Sequence, residues 1–262
     1  MYKRQIYLSI KYGKVLPIIL SVVQTAVVLY TEFTADVKEG PHMMVDWLTI
    51  LMCIIIAFIG GFICIYTVGY MKGYHNHHKE VKDRQPFFFS MLFLFLAAMF
   101  GLVLSQNLVW IYFFWEITSV ISFLMIGYTR SEEAVNNSFC ALWMNLLGGL
   151  GFAVAIALMA QLHGTLQLLE VVNIGALLPL MCLSLAGLTK SAQLPFSTWL
   201  LGAMVAPTPS SALLHSATMV KAGVYLLIRI SPALEGNLVG IIVSSIGGLT
   251  FIMASMMAIA QN

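Results

Sequence analysis

The chain has 262 residues, of which 60% are hydrophobic and 9% charged, with a formal net charge of +2. Soluble domains carry roughly 25% charged residues, so this composition leaves too little polar surface to cover a water-soluble globule. It also excludes a nucleic-acid-binding surface: the two basic clusters, Lys3, Arg4, Lys11, Lys14 and Lys72, Lys79, Lys82, Arg84, are short and flank apolar runs.

Taken in chain order, the apolar runs predict an integral membrane protein of seven or eight helical spans, because about 20 apolar residues cross a bilayer core. Lipid offers no partner to an unpaired backbone group, so each span is expected to be a helix that satisfies its own. Met1–Gln5 resembles the translation of a transposon-end adaptor and is set aside, which makes the chain an expected fragment. The first span covers Ile6–Tyr30, its apolar part confined to Val15–Tyr30 by Lys11 and Lys14. Trp47–Tyr70, Phe87–Leu104, Leu108–Tyr128 and Ala134–Ala160 follow. A sixth element starts near Ile174 and must break around Pro195, because proline removes a backbone donor and clashes with the preceding turn. Pro207 and Pro209 mark the start of the next helix, which ends near Arg229, and Leu238–Ala260 is the last.

Orientation follows from the basic residues in the loops. With a cytoplasmic N-terminus, the inside segments 1–14, 71–86 and 129–134 hold nine lysines and arginines, and the outside loops hold only Lys38 and Arg229. The loop YHNHHKEVKDR places His75 and His78 three residues apart, which suits a metal but more often means a solvated, membrane-flanking loop. Cys53, Cys64, Cys140 and Cys182 lie in apolar runs without a CxxC pair and read as small membrane-buried side chains. Gly148, Gly149, Gly151, Gly247 and Gly248 suit close helix packing.

Four ionisable residues stand inside predicted spans: Glu116, Lys190, His215 and Lys221. Such a side chain at the bilayer centre costs about 2.5–3.5 kcal/mol on insertion scales, and it usually faces a protein interior or a watery path. Each has a bland reading. Glu116 could be a neutral hydrogen-bond partner, the lysines could snorkel to an interface, and His215 could be a packed polar residue. Together they suit proton handling. A buried lysine whose pairing with a carboxylate is switched can bind and release a proton, and histidine could pass it onward. His215 and Lys221 are about 600° apart on an ideal helix, so a relay through both needs waters or a helix distortion. Interrupted helices at membrane depth are where ion-coupled transporters place their sites.

LTKSAQLPFSTWL and APTPSSALLHSATMVKAGVYL resemble the signature of the antiporter-like (L/M/N-type) membrane subunits of respiratory complex I. That family includes Mrp cation/proton antiporters and energy-converting hydrogenases. LVWIYFFWEITSVISFLMIGYT is similar to its glutamate-bearing helix, and the resemblance runs over about residues 45–262. It implies an all-α, polytopic transmembrane bundle with one five-helix repeat over residues 87–230, preceded by residues 6–86 and followed by the start of a truncated second repeat, 231–262. It also implies proton translocation by Glu116, Lys190, His215 and Lys221, with Pro195, Pro207 and Pro209 at the helix breaks.

Trp199-Leu200-Leu201-Gly202-Ala203-Met204 departs from the complex I pattern Trp-Leu-Pro-Asp-Ala-Met, and Lys221 stands where the L-type subunit tends to have threonine. LLGAMVAPTP is similar to the hydrogenase branch, and HSATMVKAG, which holds Lys221, is similar both to that branch and to Mrp antiporters. The expectation is a redox-driven complex of the hydrogenase or NADH:quinone oxidoreductase type. The alternatives are an Mrp-type sodium/proton antiporter subunit and a structural membrane-arm subunit that does not pump. The family continues into a second repeat, so this chain alone is not expected to pump. No cysteine or glycine motif suits a cluster or nucleotide, so neither a catalytic centre nor a cofactor is expected in the chain. Expected partners are other membrane subunits, lipid and protons, with Na+ as the alternative ion, in a prokaryotic cytoplasmic membrane.

Overall fold

The structure, a computed structural model, describes residue 9 and residues 11–35, 37, 40–78 and 80–260. Met1–Gln5 and the side chain of His75 lie outside the described residues. The chain is all-α: among the described residues there is no strand, only two isolated bridges. The long helices are α1 (Val15–Thr34), α2 (Trp47–His77), α3 (Gln85–Leu104), α4 (Leu108–Ile126) and α5 (Glu132–His163). Then come a short α6 (Leu168–Ile174), α7 (Leu177–Lys190), α8 (Thr198–Gly202) and a 3-10 turn (Ala203–Val205). The rest is α9 (Thr208–Ala212), a π-helical turn (Leu213–Ala217), α10 (Met219–Leu234) and α11 (Leu238–Ala260). Among the described residues, seven helical stretches are long and apolar enough to cross a membrane.

Local chemistry sets the helix ends. Asp46 caps α2 by accepting from the Thr49 amide at 2.8 Å, and Asn107 caps α4 through the Val109 amide at 2.8 Å. Ser131 caps α5, with Glu132 and Glu133 in the first turn where the helix dipole favours them. Gly164 closes α5 in the left-handed region, at φ 62°.

α5 is the central post. It packs against α1, α4 and α7, while α3 covers α4 and α10 covers α7. α11 lies at the periphery, with Val239 its one buried residue among those described. Glycines set the closest approaches. A Cβ at Gly148 would lie 2.0 Å from Thr189 Oγ1, and one at Gly223 would lie 2.5 Å from the Gly187 carbonyl oxygen and 2.6 Å from the Ser191 nitrogen. These backbones touch because no side chain separates them, the usual means of helix association in lipid. Gly247 and Gly248 of α11 meet nothing within 4 Å of an added Cβ, so the packing role expected of them is not seen.

Both ends of the bundle are tied. At one end the backbone joins three connections: Met44 donates to Leu104 at 2.8 Å, Gln106 to His42 at 2.9 Å, Leu108 to Leu166 at 2.8 Å and Leu168 to Gln106 at 2.9 Å. At the other, Arg84 donates to the Tyr128 carbonyl and stacks over the Tyr128 ring, 5.0 Å from its centroid. The loops read as outside from the charge bias thus gather at one end, and segments read as inside gather at the other.

Three boundaries differ from the sequence expectation. The helix expected to end at Tyr70 runs on to His77, so the first four residues of YHNHHKEVKDR are helical, and His78 packs on Tyr74 at 4.5 Å between ring centroids. The long sixth element stops at Lys190, before Pro195, because Ala192 turns into the left-handed region at φ 54°. At 1.5 Å per residue α7 is only about 21 Å long, short of a bilayer core of about 30 Å. The helix expected to end near Arg229 continues through Pro232 to Leu234. Arg229 is therefore no loop residue. It pairs with Asp46 and donates through Nη2 to Asp46 Oδ1 at 2.7 Å and Thr49 Oγ1 at 2.6 Å, pinning α10 to the start of α2.

Gly223→Val should push α7 and α10 apart and lower the melting temperature of the solubilised complex, with an overpacking cost of about 1–3 kcal/mol or more. Hydrogen bonds from Arg229 hold the Asp46 carboxyl well below the ordinary aspartate range. The pair's contribution is thus fully present above about pH 4 and is lost as pH falls through that lowered value. The difference in melting temperature between the native chain and Asp46→Asn should be constant from about pH 5 to 8 and shrink below about pH 4. It should be small, because the Asp46 side chain is 42% exposed.

Candidate functional site: a buried lysine and glutamate on facing helices

α4 supplies the acid. Residues 115, 116 and 119 fall on neighbouring positions of its inner side, because positions three and four apart stack on a helix. α7 supplies the base at its last residue. Lys190 is 0% exposed, and its Nζ donates to the Trp115 carbonyl at 2.9 Å and to Ser119 Oγ at 2.8 Å. Its third face looks onto the Trp115 ring, 4.8 Å from the centroid. The Trp115 carbonyl also accepts from Thr118 Oγ1 at 2.8 Å and Ser119 Oγ at 3.0 Å. A turn of α4 thus stands in for water around the amine.

Glu116 is 4% exposed and no ion pair joins it to Lys190 among the described residues. Its partner comes from α1: Gln24 Nε2 donates to Glu116 Oε2 at 3.1 Å. Gly149 of α5 leaves the space, since a Cβ there would lie 2.3 Å from Glu116 Oε1. The carboxyl also reaches a groove of about 410 Å³ between α1 and α4, walled by Val28, Leu29, Phe113, Ile117 and other mostly apolar side chains. Sequence reasoning missed Gln24, Ser119 and Gly149 as parts of the site. A lone amide midway along an apolar span was the available signal for Gln24.

Pro195 sits in the irregular segment after Lys190, while Pro207 and Pro209 open α9. His215 lies in the π-helical turn, where its Nε2 is buried without a hydrogen-bond partner among the described residues. Thr218 ends that turn, donating through Oγ1 to the Leu213 carbonyl at 2.7 Å. The distortion that a path through His215 and Lys221 requires is thus present between them. Lys221 is half-buried in the first turn of α10, two residues before the glycine that meets Gly187 and Ser191. No hydrogen bond or ion pair joins Lys190 to either residue among those described. The structure therefore brings together Lys190 and the Glu116 helix, and leaves His215 and Lys221 on the adjoining element.

Residues 105–262 match the profile described as NADH:quinone oxidoreductase/Mrp antiporter, TM, and residues 35–79 match NADH-Ubiquinone oxidoreductase (complex I), chain 5 N-terminus. A protein named as an antiporter subunit, mnhA2, of Staphylococcus aureus is 37% identical over 229 residues, covering 84% of this chain and 28% of the relative. The chain thus spans just over a quarter of that relative's length. Among solved structures, the Mrp complex from Dietzia sp. DQ12-45-1b superposes with a TM-score of 0.66 at 28% identity, covering 90% of this chain and 27% of its counterpart. The membrane-bound sulfane sulfur reductase, an archaeal respiratory membrane complex, shares the fold with a TM-score of 0.69 at 17% identity, covering 95% and 56%.

Ser119→Ala should leave the Lys190 amine one acceptor short and destabilise the assembled protein by about 1.5–3 kcal/mol, read as a lower melting temperature in detergent. The chain is an integral membrane protein and belongs to the NADH:quinone oxidoreductase/Mrp antiporter family.

Proposed function

We propose that this chain carries one half-path for protons through a multisubunit membrane complex, with Glu116 and Lys190 at its core. The observation that carries the reading is Lys190 itself. It is fully buried at the end of a helix broken in mid-crossing, and it is held by a carbonyl and a hydroxyl rather than by a carboxylate. An amine held this way can lose its proton without leaving an unpaired partner charge beside it. Movement of Glu116 toward Lys190 favours the ammonium, and its retention by Gln24 favours the free amine. Lys221 and His215 then carry the proton onward through waters at the π-helical turn. Pumping belongs to the complete subunit in its complex, in a cytoplasmic membrane and among other membrane subunits.

Two settings suit such a path. The 37% identity to a protein named as an antiporter subunit supports an antiporter complex, for which we take Na+ as the exchanged ion. The local sequence Trp199–Met204, which departs from the complex I pattern, favours a redox-driven complex of the hydrogenase type instead.

Glu116→Gln and Lys190→Ala, made in the full-length subunit of the assembled complex, should each reduce proton transport at least tenfold, measured by dye quenching in vesicles. Unchanged transport with intact assembly would leave a structural subunit that does not pump. In vesicles free of redox substrates, transport driven by a Na+ gradient marks the antiporter setting, and transport that requires electron flow marks the redox setting.

A further inference from the structure

Two oxygens at the site lack a donor. Gln24 Oε1 and Glu116 Oε1 are both buried and without a hydrogen-bond partner among the described residues, although the same two side chains meet through Gln24 Nε2 and Glu116 Oε2 at 3.1 Å. Both orphan oxygens converge on Gly149: a Cβ there would lie 2.3 Å from Glu116 Oε1 and 2.9 Å from Gln24 Oε1. They are thus within a side-chain rotation of each other. An acceptor left unmet when buried costs stability.

A single proton on Glu116 Oε1 removes both deficits. The acid O–H donates to Gln24 Oε1 while Gln24 Nε2 donates to Glu116 Oε2, and the carboxylic acid and carboxamide close a ring of two hydrogen bonds. A carboxylate cannot close it, because it has no donor. Turning the amide over exchanges which oxygen faces which, and the ring still needs one proton. The apolar wall of the neighbouring groove also suits a neutral acid better than a charge. The charged side chain that acts on Glu116 is Lys190 of α7. α3 and α9 carry no titratable residue, and those of α1 (Tyr30, Glu32) and α5 (Glu132, Glu133, Cys140, His163) lie about a turn and a half or more along their helices from Gln24 and Gly149.

We propose that Gln24 is the positioning residue that holds Glu116 as the neutral acid, making the Gln24–Glu116 pair the point where a proton waits before Lys190. This rests on the reading of Glu116 as a member of the proton path. On loading, a proton adds to Glu116 Oε1. On release the proton passes to the Lys190 amine, leaving an ammonium and a carboxylate that keeps only the Gln24 N–H, and that carboxylate is the form free to turn toward Lys190.

Difference infrared spectroscopy on the assembled complex tests it, with the band assigned by its loss in Glu116→Gln. The native complex should show a hydrogen-bonded carboxylic-acid C=O stretch at neutral pH. Gln24→Leu should move that band to higher frequency or abolish it, and shift the alkaline limb of the transport profile down by about one pH unit, a tenfold change in proton occupancy. Gly149→Ala inserts a methyl group between the two oxygens, where only flexible side-chain ends must yield, and should do the same. Should Gln24→Leu fail to assemble, Gly149→Ala and the native spectrum decide. A Glu116 band unmoved in the variants, or a native site with no acid band that responds to added Na+ instead, overturns the proposal. Loss of transport in Glu116→Gln without any effect in Gln24→Leu and Gly149→Ala overturns this inference alone, whereas retained transport in Glu116→Gln overturns the proton path with it.

Discussion

The Lys190 amine is fully buried, so its solvation must come from protein. Much of the local architecture follows from this need. Two acceptors must lie within about 3 Å of Nζ, so α7 must end where its last side chain reaches across to α4. The acceptors are a main-chain carbonyl and a hydroxyl one turn apart, a pair that any regular helix with serine at the right position can offer. An acidic partner in direct contact would fix the charge. A carbonyl and a hydroxyl hold the amine without fixing it, which is the property a transfer site requires.

The glycines serve the same end. α7 can reach α4 only if it lies close to both α5 and α10, and Gly148, Gly187 and Gly223 permit that approach by contributing no side chain. Once α7 breaks after Lys190, the amides of Ser191, Ala192 and Gln193 fold back onto α7 carbonyls, and the Leu194 amide donates to Thr250 Oγ1 of α11 at 3.0 Å. Trp199 bridges the break, donating from Nε1 to the Thr189 carbonyl at 3.0 Å. Ser191, Ala192 and Trp199 are buried at the break, whereas Pro195 and Thr198 are exposed.

How much of this could be read from sequence depended on contrast. Glu116 and Lys190 stood out because a charge in an apolar run has no cheap structural explanation, and the spans were legible because their lengths match the bilayer. Gln24 and Ser119 did not stand out, since a neutral amide or hydroxyl is common in membrane helices and can bond its own backbone, as Ser21 and Thr25 do here. Gly149 was noticed for packing, but its facing partner was a matter of rotation that spacing does not reveal. The proline drew attention to a position beyond the true end of α7, because the helix is stopped by the turn at Ala192. Arg229 was expected near the helix end, yet α10 continues through Pro232. The proline has no amide to donate to the Ile228 carbonyl, and Ser231 Oγ donates to that carbonyl instead at 2.8 Å.

The ties at the two ends of α4 bear on how the site can work. Its first residue, Leu108, is bonded to Leu166, and Tyr128 just beyond its last turn is gripped by Arg84. A rod fastened at both ends can neither slide along its axis nor roll by a large angle. On the proposed proton path, what remains free to move is the torsions of the Glu116 and Lys190 side chains, together with α1, which packs mainly on α5.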